Sequence, residues 1–304
     1  RKEEKELELA KSKLKKIEQE ILLSAAEAHT GLLLNRKKVK INVTNIDLLE
    51  RQVETDKIRL EKGDINLTDL AQSEASLAGA TAELIVAQND LVTSKADFLK
   101  IIGKNLPESV NVLGKINLKL PKSLSEARKT STNQHPDLKI AILEYEKSEE
   151  DIIIARSELS PSATLSFQIS EQEDISSSIS ERTQQTFKAT AKWPLYAGGT
   201  NFASLRKAKE QRKQKELLLQ DSKKIINAGV TNAWSEFQSS KSVLSSVQSQ
   251  VKAAEIANEG ITQEYESGGN RTTLEIIQSR TILLEARLNL ATYERNFLLS
   301  QFPQ

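Results

Sequence analysis

Along most of this chain apolar residues return every seven positions, and in one short stretch they return every two. One element cannot carry both periods: seven residues make two turns of a supercoiled helix, whereas two is the repeat of a strand. Val39, Ile46, Val53 and Leu60 form one seven-residue row, and Leu70, Leu77, Leu84, Leu91 and Phe98 form a second. Ser73, Ala80, Ala87 and Ser94 occupy the partner heptad positions of the second row, so large and small residues alternate and two helices can approach closely. Farther on, Phe237, Leu244 and Val251 run beside Val247, Ala254 and Ile261. Leu274, Ile277, Leu284, Leu288, Ala291 and Leu298 line a return arm. These rows predict a mainly α chain built on two long antiparallel coiled-coil hairpins. Gly63 and the pair Gly268 and Gly269 mark the two turns, where a left-handed residue is wanted. Thr68 and Asp69, then Thr272 and Thr273, offer fresh helix starts with an acidic first turn.

Between the hairpins the period changes. Pro107, Gly114 and Pro121 break all periodicity, which predicts a connector, with a short helix from Leu124 to about Thr130 and another from Pro136 through Arg156. Leu165, Phe167 and Ile169 then alternate with polar residues, as do Phe187, Ala189, Ala191 and Trp193, each set marking a strand with one greasy and one wet face. The segment between them, EQEDISSSISERTQQ, is polar and rich in serine and is expected to be an exposed loop. The expected organisation is a first helical hairpin over 1–103 with its turn near 63–67, a connector with short helices over 104–160, a β-hairpin over 161–196, and a second helical hairpin over 197–304 with its turn near 268–271.

The two turns are copies. His29 and Trp234 stand 205 residues apart, as do Leu60 and Tyr265 and Gly63 and Gly268, while the Gln-Ser pairs at 72–73 and 278–279 stand 206 apart. At that offset Arg1 falls on Arg206, so the first repeat is expected to lack its strands and the helix before them. The chain does not start with methionine, and a signal peptide or lipid-anchor cysteine would belong to that missing part.

Composition narrows the function. An apolar share of 38% with 4% aromatic is low for compact cores in 304 residues and favours an elongated chain. The formal net charge of +1 supplies no basic field for nucleic acid. Cysteine is absent, and His29 and His135 are far apart, His135 reading as a helix N-terminal residue. No phosphate loop, nucleophile-base pair or ligand cluster is present, so neither a cofactor, a metal site nor an enzyme is expected. No run approaches the roughly 18 apolar residues of a membrane helix, so a membrane would have to be crossed by strands. A two-stranded hairpin cannot lie in lipid with open edges, because its edge amides would be unpaired there; it must close with strands from other copies. Three copies of two strands make six, short of the smallest usual barrel of about 8, whereas three copies of a duplicated pair make twelve. Phe167 and Phe187 would then face lipid and Trp193 would sit in the aromatic belt.

The segments LSPSATLSF, WPLYAGG, NQHPDL and above all YESGGNRTTLEIIQSR resemble those of the TolC-like outer-membrane efflux and secretion channels, over essentially the whole chain. The resemblance implies a homotrimer in the bacterial outer membrane, with strands of three protomers in a barrel and helical hairpins forming a tunnel in the periplasm. It implies that a periplasmic adaptor and an inner-membrane transporter dock at the helical tips. Tyr265 and Arg271 match the tyrosine and arginine that hold the closed tip, and Thr68 and Asp69 match the residues they reach across protomers, a latch. Glu275 matches an acidic ring at the constriction; Gln278 replaces a second acid found in some members. Two rivals compete with the duct. A periplasmic adaptor predicts one hairpin flanked by β domains, and a spectrin-like coiled-coil rod leaves the alternating strands unexplained.

Overall fold

Gly63 turns the chain with φ near +79°, a left-handed conformation that an L side chain adopts only with strain. It ends helix α1 (Lys2–Lys62), and its N–H donates to the Leu60 carbonyl at 3.0 Å. Nothing lies within 4 Å of where a Cβ would stand. Gly63→Ala is therefore expected to cost about 1 kcal/mol through backbone strain alone, measured as a lower thermal midpoint with unchanged helix content. The return helix α2 (Leu67–Ile102) closes on Gly103, also left-handed at φ near 75°.

This is a computed structural model, and it describes residues 1–105, 107, 120–176, 179–267 and 271–302, with the backbone alone for 173–176 and 179–181. The expected turn glycines Gly268 and Gly269 and residues 106 and 108–119 of the expected connector, Gly114 included, lie outside the described residues. After them come α3 (Leu124–Gln134), α4 (Pro136–Ser157), β1 (Ser162–Ser176), β2 (Ile179–Lys192), α5 (Thr200–Glu266) and α6 (Thr273–Leu299). The helix from Leu124 runs four residues past the expected Thr130. His135 is the N-cap of α4, its ring Nδ1 accepting the Asp137 N–H at 3.2 Å, with Pro136 in the first turn where its missing N–H costs nothing.

The chain divides into two compact units. One comprises Arg1–Lys16 and Thr132–Ile226. In it the start of α1 and helix α4 are registered by ion pairs, Lys2 with Asp151, Lys5 with Glu146 and Lys16 with Asp137, each at 2.7 Å. Arg212 of α5 donates to the Tyr145 hydroxyl at 2.6 Å, and Lys215 reaches Glu144 at 2.7 Å. Such half-exposed pairs fix register more than they add stability. The strands pair antiparallel in register, Phe167 opposite Phe187 and Leu165 opposite Ala189 on one face, Ser166 opposite Lys188 on the other. Among the described residues the sheet has these two strands only, so both outer edges are unpaired. Two consecutive left-handed glycines, Gly198 and Gly199, lead from the strand exit into α5.

The expected loop over 171–185 is a correction: β1 runs to Ser176 and β2 resumes at Ile179, with Glu171 opposite Thr183 and Gln172 opposite Arg182. Ladder hydrogen bonds belong to the backbone, and where both faces of a hairpin are wet a polar sequence extends the strands at no burial cost.

The other unit comprises Ile17–Ser131 and Asn227–Gln304. Its α5 and α6 pack through Val251, Ala254, Leu283 and Ala286. Here the helical rows are refined. On α2 Ser73, Ala80 and Ala87 of the small row are buried with Leu70 and Phe98, while Ser94, Leu77, Leu84 and Leu91 are half-buried. On α6 Leu274 is 48% exposed, and its neighbours Thr273 and Ile276 are buried instead.

Candidate functional site

Both helical hairpins of this second unit turn at the same end, and each return helix begins in the same way. Asn66 is the N-cap of α2: its Oδ1 accepts the Asp69 N–H at 3.0 Å, and its own N–H donates to the Asp69 carboxylate at 3.2 Å. Thr272 and Glu275 make the same reciprocal pair at the start of α6, with the Thr272 N–H donating to Glu275 at 2.8 Å. Asn66 and Thr272 are 206 residues apart, and so are Asp69 and Glu275. The repeated turn of the sequence is thus a repeated capping box. The cap of α2 is Asn66, not Thr68, which lies one residue inside the helix and is exposed. An asparagine reaches the N3 amide from the capping position, whereas Thr68 is already helical.

Beneath the two caps lies a buried polar centre. Asp56 is fully buried, and its carboxylate accepts three hydrogen bonds: from the Tyr265 hydroxyl at 2.6 Å, from Ser73 Oγ at 2.5 Å and from Gln52 Nε2 at 2.8 Å. The Tyr265 hydroxyl also meets Thr273 Oγ1 at 3.1 Å. Arg59 lays its guanidinium over the Tyr265 ring, 4.3 Å from the centroid. Arg280, itself buried, donates to the Leu48 carbonyl at 3.0 Å. Three helices therefore meet at one carboxylate, α1 through Asp56, α2 through Ser73 and α5 through Tyr265, and α6 joins them through Thr273 on the Tyr265 hydroxyl. Burial raises the Tyr265 hydroxyl above its ordinary pKa, with the Asp56 hydrogen bond adding to it. Burial likewise lowers Arg280, against the nearby charges of Glu266 and Asp56.

The expected tip residues are distributed around this centre. Tyr265 is in it, 1% exposed. Arg271 is on the surface, its Nε on Glu264 at 2.6 Å and its Nη1 on Glu275 at 3.1 Å, and these carboxylates raise its pKa. Within one protomer the structure brings neither Tyr265 to Thr68 nor Arg271 to Asp69. Glu275 is held below the usual carboxylate range first by the Thr272 N–H and then by Arg271. A carboxylate so depressed stabilises the fold above its unfolded pKa and loses that contribution as pH falls through its folded pKa. The stability difference between the native chain and Glu275→Gln is therefore expected to begin shrinking as the pH falls below the ordinary carboxylate value and to be gone only below the lowered folded value, as thermal midpoints measured across pH would show. In the other unit, Phe167 and Phe187 face each other across the hairpin, 62% and 69% exposed, and Trp193 follows β2 at 63%.

Asp56, Gln52, Arg59 and Arg280 are absent from the tip residues expected from sequence. The signal for Asp56 was its place in the row Asn42, Leu49, Asp56, two polar residues at interior heptad positions.

The family described as "Outer membrane efflux protein" matches residues 128–301. The chain is 23% identical over 290 residues to "Outer membrane efflux protein BepC" of Brucella suis biovar 1 (strain 1330), covering 95% of this chain and 63% of that protein. It is 21% identical over 295 residues to "Outer membrane protein TolC" of Salmonella enteritidis, covering 93% and 60%. The chain thus spans about three fifths of the length of the curated relatives it matches. Among solved structures, CusC aligns with a TM-score of 0.85 at 17% identity, covering 99% of this chain and 71% of CusC. VceC from Vibrio cholerae aligns with a TM-score of 0.78 at 19% identity, covering 97% and 71%. The mainly α fold with paired coiled-coil hairpins and a β-hairpin is the fold of these structures.

Proposed function

The chain belongs to the outer membrane efflux protein family, and from that premise we propose that it is part of the outer-membrane exit duct of a tripartite efflux or type I secretion system. The observation that carries this reading is the β-hairpin: an exposed apolar face centred on Phe167 and Phe187, with both edges unpaired among the described residues. Such a hairpin is stable in lipid only inside a closed barrel, so several copies must contribute strands. The helical hairpins belong on the periplasmic side, with a periplasmic adaptor and an inner-membrane transporter at the capped tips. The fold likeness to CusC and VceC favours the duct over an adaptor or a rod.

At the tip, Asp69 and Glu275 stand at equivalent positions of the two repeats, so each protomer offers two carboxylates, and around a rotation axis these would form the acidic constriction that favours cations. Arg271, already on Glu275, moderates that charge. The latch across protomers then falls chiefly to Arg271, reaching Asp69 of a neighbour, while Tyr265 braces its own protomer through Asp56. Replacing Arg271 and Tyr265 together is expected to raise unitary conductance in a planar bilayer; unchanged conductance counts against the latch. The duct itself is tested by the mass of the complete protein purified in detergent. A homotrimer supports it, and a monomer or dimer rules it out.

A further inference from the structure

The β-hairpin sorts its charges by face. Its described side chains, 162–172 and 182–192, include the charged residues Glu171, Arg182, Lys188 and Lys192. Successive residues of a strand point to opposite faces, so Glu171 shares the apolar face with Phe167 and Phe187, opposite Thr183. Arg182, Lys188 and Lys192 all stand on the wet face. Their partners there are Gln172, Ser166 and Ser162, so no carboxylate faces any of the three directly across the ladder.

This is unlike the rest of the chain, where 43 Lys and Arg are balanced by 42 Asp and Glu. In the same unit Lys2, Lys5, Lys16 and Lys215 each have a carboxylate at 2.7 Å. An ordinary solvated surface intersperses both signs, whereas the described wet face of the hairpin carries one. Ser162 and Ser166 donate to the carbonyls of Lys192 and Lys188, each at 3.4 Å, and are therefore turned to the backbone instead of to the ammonium groups. Thr164, Gln168, Thr186 and Thr190 lie between the cations on the same face and supply hydroxyl and amide donors.

In a closed barrel the apolar face meets lipid and the wet face lines the interior. Along β2, Lys188 is four residues from Lys192 and six from Arg182, spacings of about 14 and 20 Å at about 3.4 Å per residue. Each further copy repeats the row around the interior. Charge of one sign between low-dielectric walls focuses the field and concentrates counter-ions.

We propose that the row Arg182, Lys188 and Lys192 lines the barrel interior and makes it a binding site for multivalent anions, solutes that bear several phosphate or carboxylate groups. This rests on the duct reading above and gives the barrel the opposite charge preference to the one that Asp69 and Glu275 give the tip. A compact multivalent anion bridges cations of neighbouring rows, which a single carboxylate cannot do, so valence decides affinity.

The test records the complete protein in a planar bilayer, with inositol hexakisphosphate as the multivalent anion and inositol as its uncharged control. The helical part, rich in charge, cannot cross lipid, so protein added to one compartment leaves the barrel mouth facing the other, where the probe is added. The hexakisphosphate is expected to interrupt the current in about 0.1 M salt and to lose that effect in about 1 M salt, where screening cuts the reach of a charge to about 3 Å. Lys188→Gln combined with Lys192→Gln should raise the half-blocking concentration about tenfold or more. Lys188→Glu combined with Lys192→Glu should abolish block by the hexakisphosphate and create block by spermine, an exchange that a purely structural role for the lysines would not produce. The salt dependence is read on the native protein, so it tests the site even where a variant does not insert. If the native duct conducts and the hexakisphosphate leaves its current unchanged, or blocks it equally in the glutamine variant or in about 1 M salt, the anion site is wrong and the duct reading stands. Block by inositol overturns the site in the same way, since charge is then not the cause. If the complete protein inserts and passes no current, the duct reading falls and the site falls with it.

Discussion

Asp56→Ala is expected to destabilise the chain by about 3–5 kcal/mol, because it removes one partner from a buried charged network and leaves the rest unpaired. The Tyr265 hydroxyl, Ser73 and Gln52 would each lose their acceptor, and Arg280 would keep its buried charge without the nearby Asp56 carboxylate. Asp56→Asn should cost much less, since the remaining amide oxygen still accepts from one of the donors. Urea midpoints of the two variants separate the cases. A loss below about 1 kcal/mol for Asp56→Ala would mean that water replaces the carboxylate and that the four helices are held by apolar packing instead.

The second large effect is at Ile276, in the first turns of α6. This side chain is fully buried, and Ile276→Ala should cost about 2–5 kcal/mol through lost burial and the cavity left behind. Leu274, two residues earlier and in the row expected to be interior, is 48% exposed, and Leu274→Ala should change stability by no more than about 0.5 kcal/mol. Comparable losses at the two positions would place the buried face of α6 elsewhere.

Leu274 illustrates what a heptad row does and does not say. Seven-residue spacing was enough to read the hairpins and their direction, because only a supercoiled helix keeps such a row on one side. It does not say which of several rows faces inward. On α2 two rows qualify, and the protomer covers the smaller residues of one, Ser73, Ala80 and Ala87, while leaving Ile85 and Val92 bare. A helix that packs against two partners is apolar on two faces, and the pattern alone does not rank them.

The site was legible to a similar degree. Gly63 marked the first turn and the Thr272–Thr273 pair the start of α6, where Glu275 stands in the first turn as a capping-box carboxylate. Asn66 was passed over for Thr68 because both residue types cap helices, and only the backbone conformation, extended at Asn66, decides between them. Asp56 was hidden for a different reason. A carboxylate among charged neighbours on a long helix reads as part of a solvated face, and its burial becomes visible only when Tyr265 arrives from 209 residues away. The β-hairpin was recognised from its apolar alternation, but its polar end was read as a loop, since a strand wet on both faces has no hydrophobic period to detect.

The most direct test of the account is a planar-bilayer recording of the complete protein. An exit duct predicts discrete unitary steps with a preference for cations, small in the native protein and larger once Arg271 and Tyr265 are replaced. A folded, purified protein that inserts into the bilayer and passes no current, with the tip residues intact or replaced, would contradict it.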